Sequence, residues 1–218
     1  MGKAKICAVI VNKNLAAIAD VAPLVELFEV RIDLVGDGWQ EVAGKLSKPW
    51  IACNRTVAEG GHWQNSEARR KEELLKAIRL GAYAIDIELT TSNLKNLVPI
   101  IKKRAKCLLS FHDTEKTPPL ADLKGIAKRQ IAAGADICKV VTTAQKAGDN
   151  LTILKLITEF PEARVAAFAM GPLGLPSRIL CPLVGGEFTY AAMEKGAESA
   201  PWQMTVAELN EIYNMVNE

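Results

Sequence analysis

Two residues in apolar, strand-like runs carry the chemistry this chain could perform. Lys139 lies in ADICKVVTT, flanked by Ile137, Cys138, Val140 and Val141. A lysine inside such a run is costly to bury unless its charge is paired or lost. Desolvation lowers an ammonium pKa from about 10.4 towards neutrality. A neutral amine adds to a ketone or aldehyde and forms a Schiff base. The expectation is an uncharged amine in an apolar cavity. The plainer alternative is a strand-end lysine paired with Glu88 or another carboxylate. His112 ends CLLSFHD, on the strand face of Ser110 and opposite Leu109 and Phe111. An imidazole with a pKa near 6.5 suits general acid/base work beside such an amine. Alone, it also reads as a hydrogen-bonded core histidine. The two runs are consecutive strands, so they should be neighbours about 4.8 Å apart, with inward side chains facing one substrate. His62, in EGGHWQN, falls in a loop and reads as a surface residue.

Charges elsewhere alternate with apolar residues. In LFEVRIDL, Glu29, Arg31 and Asp33 alternate with Val30, Ile32 and Leu34. In YAIDIEL, Asp86 and Glu88 alternate with Ile85, Ile87 and Leu89. Period-two alternation gives each strand one ionic and one apolar face. Helices between the strands would cover the apolar faces, so the charges would line the interior of a closed sheet. Buried charges persist when paired, hydrogen-bonded or used for chemistry, which makes the chain an enzyme candidate.

The elements that must hold these residues alternate regularly. Strands are expected at 5–11, 27–34, 50–56, 82–89, 107–113, 136–142, 164–170 and 179–184. Helices are expected at 66–80, 92–104, 120–133, 150–160 and 205–216, with weaker signals at 18–25 and 39–46. Ser66 and the Thr205–Glu208 pair mark helix starts, and Asp149 or Asn150 can cap another. Gly81 and Gly134 sit where helices need a left-handed residue to end. Eight strand–helix units imply right-handed crossovers and a parallel sheet. The fold class is therefore α/β, a (β/α)8 TIM barrel, with residues 1–218 as one catalytic domain. The runner-up is an open doubly wound sheet. It usually carries a glycine-rich first turn, which VIVNKNLA lacks.

Bulk composition narrows the classes. The 218 residues carry 27 basic and 25 acidic side chains, a net charge of +2 that gives no electrostatic case for nucleic acid or anionic lipid. Apolar residues make up 49% and charged residues 24%, a normal globular balance. The five cysteines show no C-x-x-C spacing, and four lie in apolar runs. That pattern reads as buried, reduced thiols, with no metal site expected. The first apolar run spans six residues, too short for a signal segment or membrane span. A soluble, cytoplasmic protein is expected, with no membrane or nucleic-acid partner.

Several motifs together resemble a known family. They are EVRIDL at 29–34, NRTVAEGG at 54–61, DIEL at 86–89, SFHD at 110–113, DICKV at 136–140, MGPLGLPSR at 170–178 and ESAPWQ at 198–203. In order along nearly the whole chain, they are similar to type I 3-dehydroquinate dehydratases. The resemblance implies a barrel enzyme of the shikimate pathway that converts 3-dehydroquinate to 3-dehydroshikimate without a cofactor, commonly as a homodimer. It implies Lys139 as the Schiff-base lysine, His112 as the general acid/base and Glu59 as the carboxylate beside that histidine. It further implies Arg178 on the substrate carboxylate, and Ser199, Ala200 and Gln203 in a closing loop. Glu29, Arg31 and Arg55 would meet ring hydroxyls, and Met170 would form an apolar wall. The chain departs from the family pattern at Phe168, where a second methionine is frequent. It departs again at Tyr190, where phenylalanine is common and the residue keeps a place in the expected site. Trp202 replaces a typical glycine, and the segment from Tyr190 to Ser199 is two residues longer.

Other Schiff-base barrels, such as class I aldolases and transaldolases, also place a lysine on a strand. They commonly hold phosphate with loops after the seventh and eighth strands, for which Gly185 and Gly186 offer weak material. A metabolite-binding sensor on the same barrel would lack the lysine or the histidine, and both are present.

Overall fold

The computed structural model describes residues 4–217. Its strands are β1 (Ile6–Ile10), β2 (Leu27–Arg31), β3 (Trp50–Cys53), β4 (Ala84–Glu88), β5 (Lys106–His112), β6 (Ile137–Thr143), β7 (Val165–Met170) and β8 (Thr189–Ala192). They form one eight-stranded sheet in the order β7-β6-β5-β4-β3-β2-β1-β8. Every strand pairing in it is parallel. Helices lie between the strands, giving a nearly closed (β/α)8 barrel. No ladder joins β7 to β8. The seam is bridged by one backbone bond, Glu187 N–H to Val165 O at 2.8 Å, and by the rings of Phe168 and Tyr190, 5.9 Å apart.

Strand alternation divides the apolar residues into two layers. Cys7, Val9, Leu27, Ile51, Ala84 and Leu108 fill the barrel floor. Ile10, Phe28, Val30, Ile85 and Leu109 face outward onto Trp39, Leu74 and Ile101 of the surrounding helices. Each such side chain contributes about 1.5–3 kcal/mol on burial, so the phase of the alternation is strongly fixed. The inward positions above the floor carry the charges. Glu29, Arg31, Asp86, Glu88 and Lys139 are all buried.

The helix starts at Ser66 and Thr205 and the helix ends at Gly81 and Gly134 work as read. Ser66 Oγ accepts from Arg69 N, and Thr205 and Glu208 bond each other's backbone reciprocally. Gly81 and Gly134 take φ of 85° and 93°. All five cysteines are buried and unpaired. Asp149 does not cap its helix. It is the first residue of Asp149–Thr158, and its carboxylate accepts from Gln145 N and Lys146 N in the preceding turn.

Three strands differ from expectation by more than two residues. The eighth strand is Thr189–Ala192, not 179–184. The apolar run ILCPLV is instead the end of helix Leu175–Leu180 and a 3-10 turn, Cys181–Val184. Pro176 and Pro182 sit in the first turns of these elements, where a fixed φ is an advantage and no N–H is needed. β2 stops at Arg31, and Ile32–Val35 coils into one helical turn, which removes Asp33 from the inward face. β3 stops at Cys53, short of 56.

Candidate active site

All twelve expected site residues line one cavity of about 390 Å³ at the C-terminal mouth of the barrel. That is the end where barrel enzymes place their chemistry.

Register explains the juxtaposition of the central pair. Lys139 on β6 stands opposite Ser110 of β5, and His112 is the next inward position of β5 towards the mouth. The Lys139 Nζ lies 2.9 Å from Asp86 Oδ2, 3.5 Å from Glu29 Oε2 and 4.2 Å above the Tyr190 ring. This environment overturns the expectation of an uncharged amine. Burial does push the Lys139 pKa down, but Asp86 and Glu29 outweigh it and hold the ammonium above its ordinary range. The carboxylate partner is Asp86 and not Glu88.

Asp86 is the hub of the charges. Its Oδ1 accepts from Ser110 Oγ at 2.6 Å, and its Oδ2 pairs with Arg55 Nη2 at 2.7 Å. Burial would raise its pKa; Arg55, Lys139, His112 and Ser110 together drive it far below the usual carboxylate range. Arg55 also reaches Glu88 Oε1 at 2.9 Å and Ser110 Oγ at 2.6 Å.

Glu59 is set over the histidine by a backbone reversal. Gly60 takes φ of 79°, and a Cβ on Gly61 would fall 2.2 Å from the Arg55 carbonyl oxygen. The EGG triplet therefore has a steric reason. Glu59 Oε2 accepts from His112 N at 3.1 Å and lies 2.8 Å from Nδ1. An ionised Glu59 fixes the proton on Nδ1 and leaves Nε2 as an acceptor. Burial, Arg55 and Lys139 hold the His112 pKa well below its ordinary value, so the ring is neutral at pH 7. Burial raises the Glu59 pKa to about 7 despite Arg55, with Glu88 and Asp86 adding to the rise.

Arg178 is 3% exposed, and no carboxylate pairs with it among the described residues. Its guanidinium sits 4.7 Å over the Phe168 ring, its Nε lacks a partner, and burial lowers its pKa to about 10. An uncompensated buried cation facing a cavity is a receptor for an anion. Gly171, at φ of 82°, and Gly174, whose Cβ would meet the Met170 carbonyl at 2.4 Å, allow the tight turn that delivers it. Arg31 is different, since it forms a two-point pair with Asp33 at 2.9 and 2.7 Å. Asp33 also accepts from the backbone N–H groups of Arg55 and His62.

In the loop that borders the mouth, Gln203 Oε1 accepts from Ser199 N and Oγ at 2.9 and 3.1 Å. Ala200 and Met170 add apolar wall, and Trp202 stands 64% exposed with φ of 62°. His62 is exposed and outside the cavity; Gly185, exposed, and Gly186, half-buried, also lie outside it. Asp86 was visible in the alternation but had no assigned place; its position two residues before Glu88 was the available signal. Arg70 gave none, because an arginine in a helix reads as solvent-facing.

A parallel barrel with a buried lysine and a histidine–carboxylate pair at its C-terminal mouth is an α/β-barrel enzyme. The family model for type I 3-dehydroquinase matches residues 6–218, and the chain belongs to that family. A 3-dehydroquinate dehydratase of Dehalococcoides mccartyi strain BAV1 is 44% identical over 212 residues, covering 97% of this chain and 96% of the relative. One from Methanosarcina mazei is 33% identical, with 98% and 95% covered. Among solved structures, the type I 3-dehydroquinate dehydratase of Clostridium difficile, with covalently modified comenic acid, superposes with a TM-score of 0.86. It is 26% identical, and the match covers 99% of this chain and 93% of that one. No helix among the described residues is long and apolar enough to cross a membrane.

Proposed function

We propose that the chain carries the hydro-lyase activity of its family, converting 3-dehydroquinate to 3-dehydroshikimate in the shikimate pathway, through an imine on Lys139. The observation that carries this reading is the convergence of three functions on one cavity. These are the Lys139 amine, the neutral imidazole oriented by Glu59, and the unpaired cation of Arg178. The covalent ligand of the C. difficile relative supports covalent chemistry in this fold.

The substrate has a ketone, a neighbouring CH₂, and next to that a carbon bearing both hydroxyl and carboxylate. Arg178 grips the carboxylate with charge-assisted hydrogen bonds. Lys139 gives up a proton to the carboxylates beside it, and its lone pair forms a C–N bond at the ketone carbon. Loss of the ketone oxygen as water leaves a protonated iminium. That cation acidifies the neighbouring C–H, and His112 Nε2 removes the proton to give an enamine. The enamine electrons then re-form the C=N bond and expel the hydroxyl, which takes the proton back from His112. Water hydrolyses the iminium and frees the lysine. His112 ends neutral, as it began, and each acid/base step contributes about 10²- to 10⁴-fold.

The test follows the rise of conjugated-enone absorbance on adding 3-dehydroquinate. Wild type is expected to turn over and Lys139→Ala to be silent. Borohydride with substrate should leave an adduct on Lys139 alone; reduction onto another lysine, or full activity in Lys139→Ala, defeats the mechanism.

A further inference from the structure

Arg70 is the largest fully buried side chain among the described residues, yet it stands on the outer helix Glu67–Arg79. Each of its five N–H groups has an acceptor. Nε and Nη2 hold the two Glu67 oxygens at 2.7 and 3.0 Å, and Nη2 also reaches Thr91 Oγ1 at 3.1 Å. Nη1 reaches Asn54 O at 3.0 Å and Glu88 Oε2 at 2.7 Å. A guanidinium has five donors, so none is left for a substrate, and Arg70 can act only through its partners.

Those partners lead to the reacting amine. The other Glu88 oxygen holds Arg55, Arg55 holds Asp86 and Asp86 holds Lys139, at 2.9, 2.7 and 2.9 Å. From surface to centre the chain is Glu67, Arg70, Glu88, Arg55, Asp86, Lys139, with charge alternating at every step. We infer that Arg70 is a positioning residue: by occupying Glu88 it leaves Arg55 free for Asp86, and so sets how tightly Asp86 holds the Lys139 amine. This rests on the imine reading above.

The sign is fixed by the order of charges. Without Arg70, Glu88 draws Arg55 from Asp86, and Asp86 turns to Lys139. The ammonium is then held harder and fewer amines are free to attack. Neutralising Glu67 does the reverse, because Glu88 is then the one carboxylate paired with Arg70 among the described residues. The other charged or titratable groups around Lys139 are Glu29 and Arg31 on β2, Cys53 on β3 and His112 on β5, of which Cys53 also accepts from Arg55 Nη2 at 3.3 Å. Cys7 on β1 and Tyr190 on β8 complete its surroundings.

The experiment measures the rate of borohydride-trapped adduct on Lys139 with 3-dehydroquinate, by mass spectrometry, across pH. In Arg70→Met the rising limb should move up by about half a pH unit, roughly threefold slower trapping below it. Arg70→Lys should return the limb close to wild type, and Glu67→Gln should move it down. An anchoring role alone would slow trapping in all variants without moving the limb. Coincident limbs for wild type, Arg70→Met and Glu67→Gln overturn the inference. Should Arg70→Met fail to fold, Glu67→Gln alone decides by the direction of its shift. Absence of a Lys139 adduct in wild type is a separate result, which removes the imine reading itself.

Discussion

At the level of single residues, the proposed mechanism joins a base that is ready and an anion receptor that is empty of counter-charge. His112 is neutral at physiological pH, and Glu59 must be ionised to fix its tautomer. Burial sets the Glu59 pKa at about 7. The pH profile of kcat/KM should therefore fall on the acid side near pH 7, and Glu59→Gln should lower kcat and flatten that limb. Stability runs the opposite way. A carboxyl whose pKa rises on folding binds more protons in the native state between its unfolded value of 4.5 and about 7. Its contribution is present below the unfolded pKa and is lost as pH rises through the folded one. Glu59→Gln should hence melt higher than wild type at pH 8, measured by calorimetry. Arg178→Met should behave similarly, raising the melting temperature by removing an unpaired buried charge. It should also raise KM by roughly 10- to 100-fold, the equivalent of one charge-assisted hydrogen-bond pair. An unchanged KM would disprove its grip on the substrate. The charge on Lys139 illustrates what a linear reading misses. Apolar neighbours along β6 argue for a neutral amine, but Asp86 arrives from two strands away and reverses the outcome.

Elements were legible where their own residues determine them. The alternation in β2 and β4, the cap at Ser66 and the left-handed glycines at 81 and 134 are local signals with local causes. β8 had no such signal. Its four residues, TYAA, are all buried and show no alternation, because one face meets the barrel interior and the other the helices. The neighbouring ILCPLV run, apolar and proline-punctuated, mimics a strand but is coiled by Pro176 and Pro182. At the mouth, the reversal at Gly61 is an element-level device. Gly61→Ala would drive a methyl into the Arg55 carbonyl oxygen, 2.2 Å away, and shift the turn that carries Glu59. Turnover should fall by about tenfold or more, as expected when a misplaced group weakens general acid/base catalysis. Imine trapping on Lys139 should persist. Wild-type kcat in Gly61→Ala would show that the turn has room to spare.

Across the whole molecule, the barrel is a ladder with two free ends. β7 and β8 meet through one backbone bond, a ring contact and the Arg164–Glu187 pair at 3.0 and 2.8 Å. Parallel strands elsewhere share full ladders. Backbone amides of β8 should accordingly exchange with deuterium faster than those of β4 or β5, and Glu187→Ala should widen that difference. Uniform protection around the ring would mean that the seam is as firm as the ladders.

Lys139, His112 and Glu59 belong to the continuously laddered side, whereas Arg178 follows β7 and the Ser199–Gln203 loop follows β8. On the proposed mechanism, the parts that move protons are thus braced, and the parts that grasp the ligand flank the one discontinuity. Drift in a lineage of such barrels can reshape the grasp, admitting acids of another size or bulk, while the proton machinery stays in register.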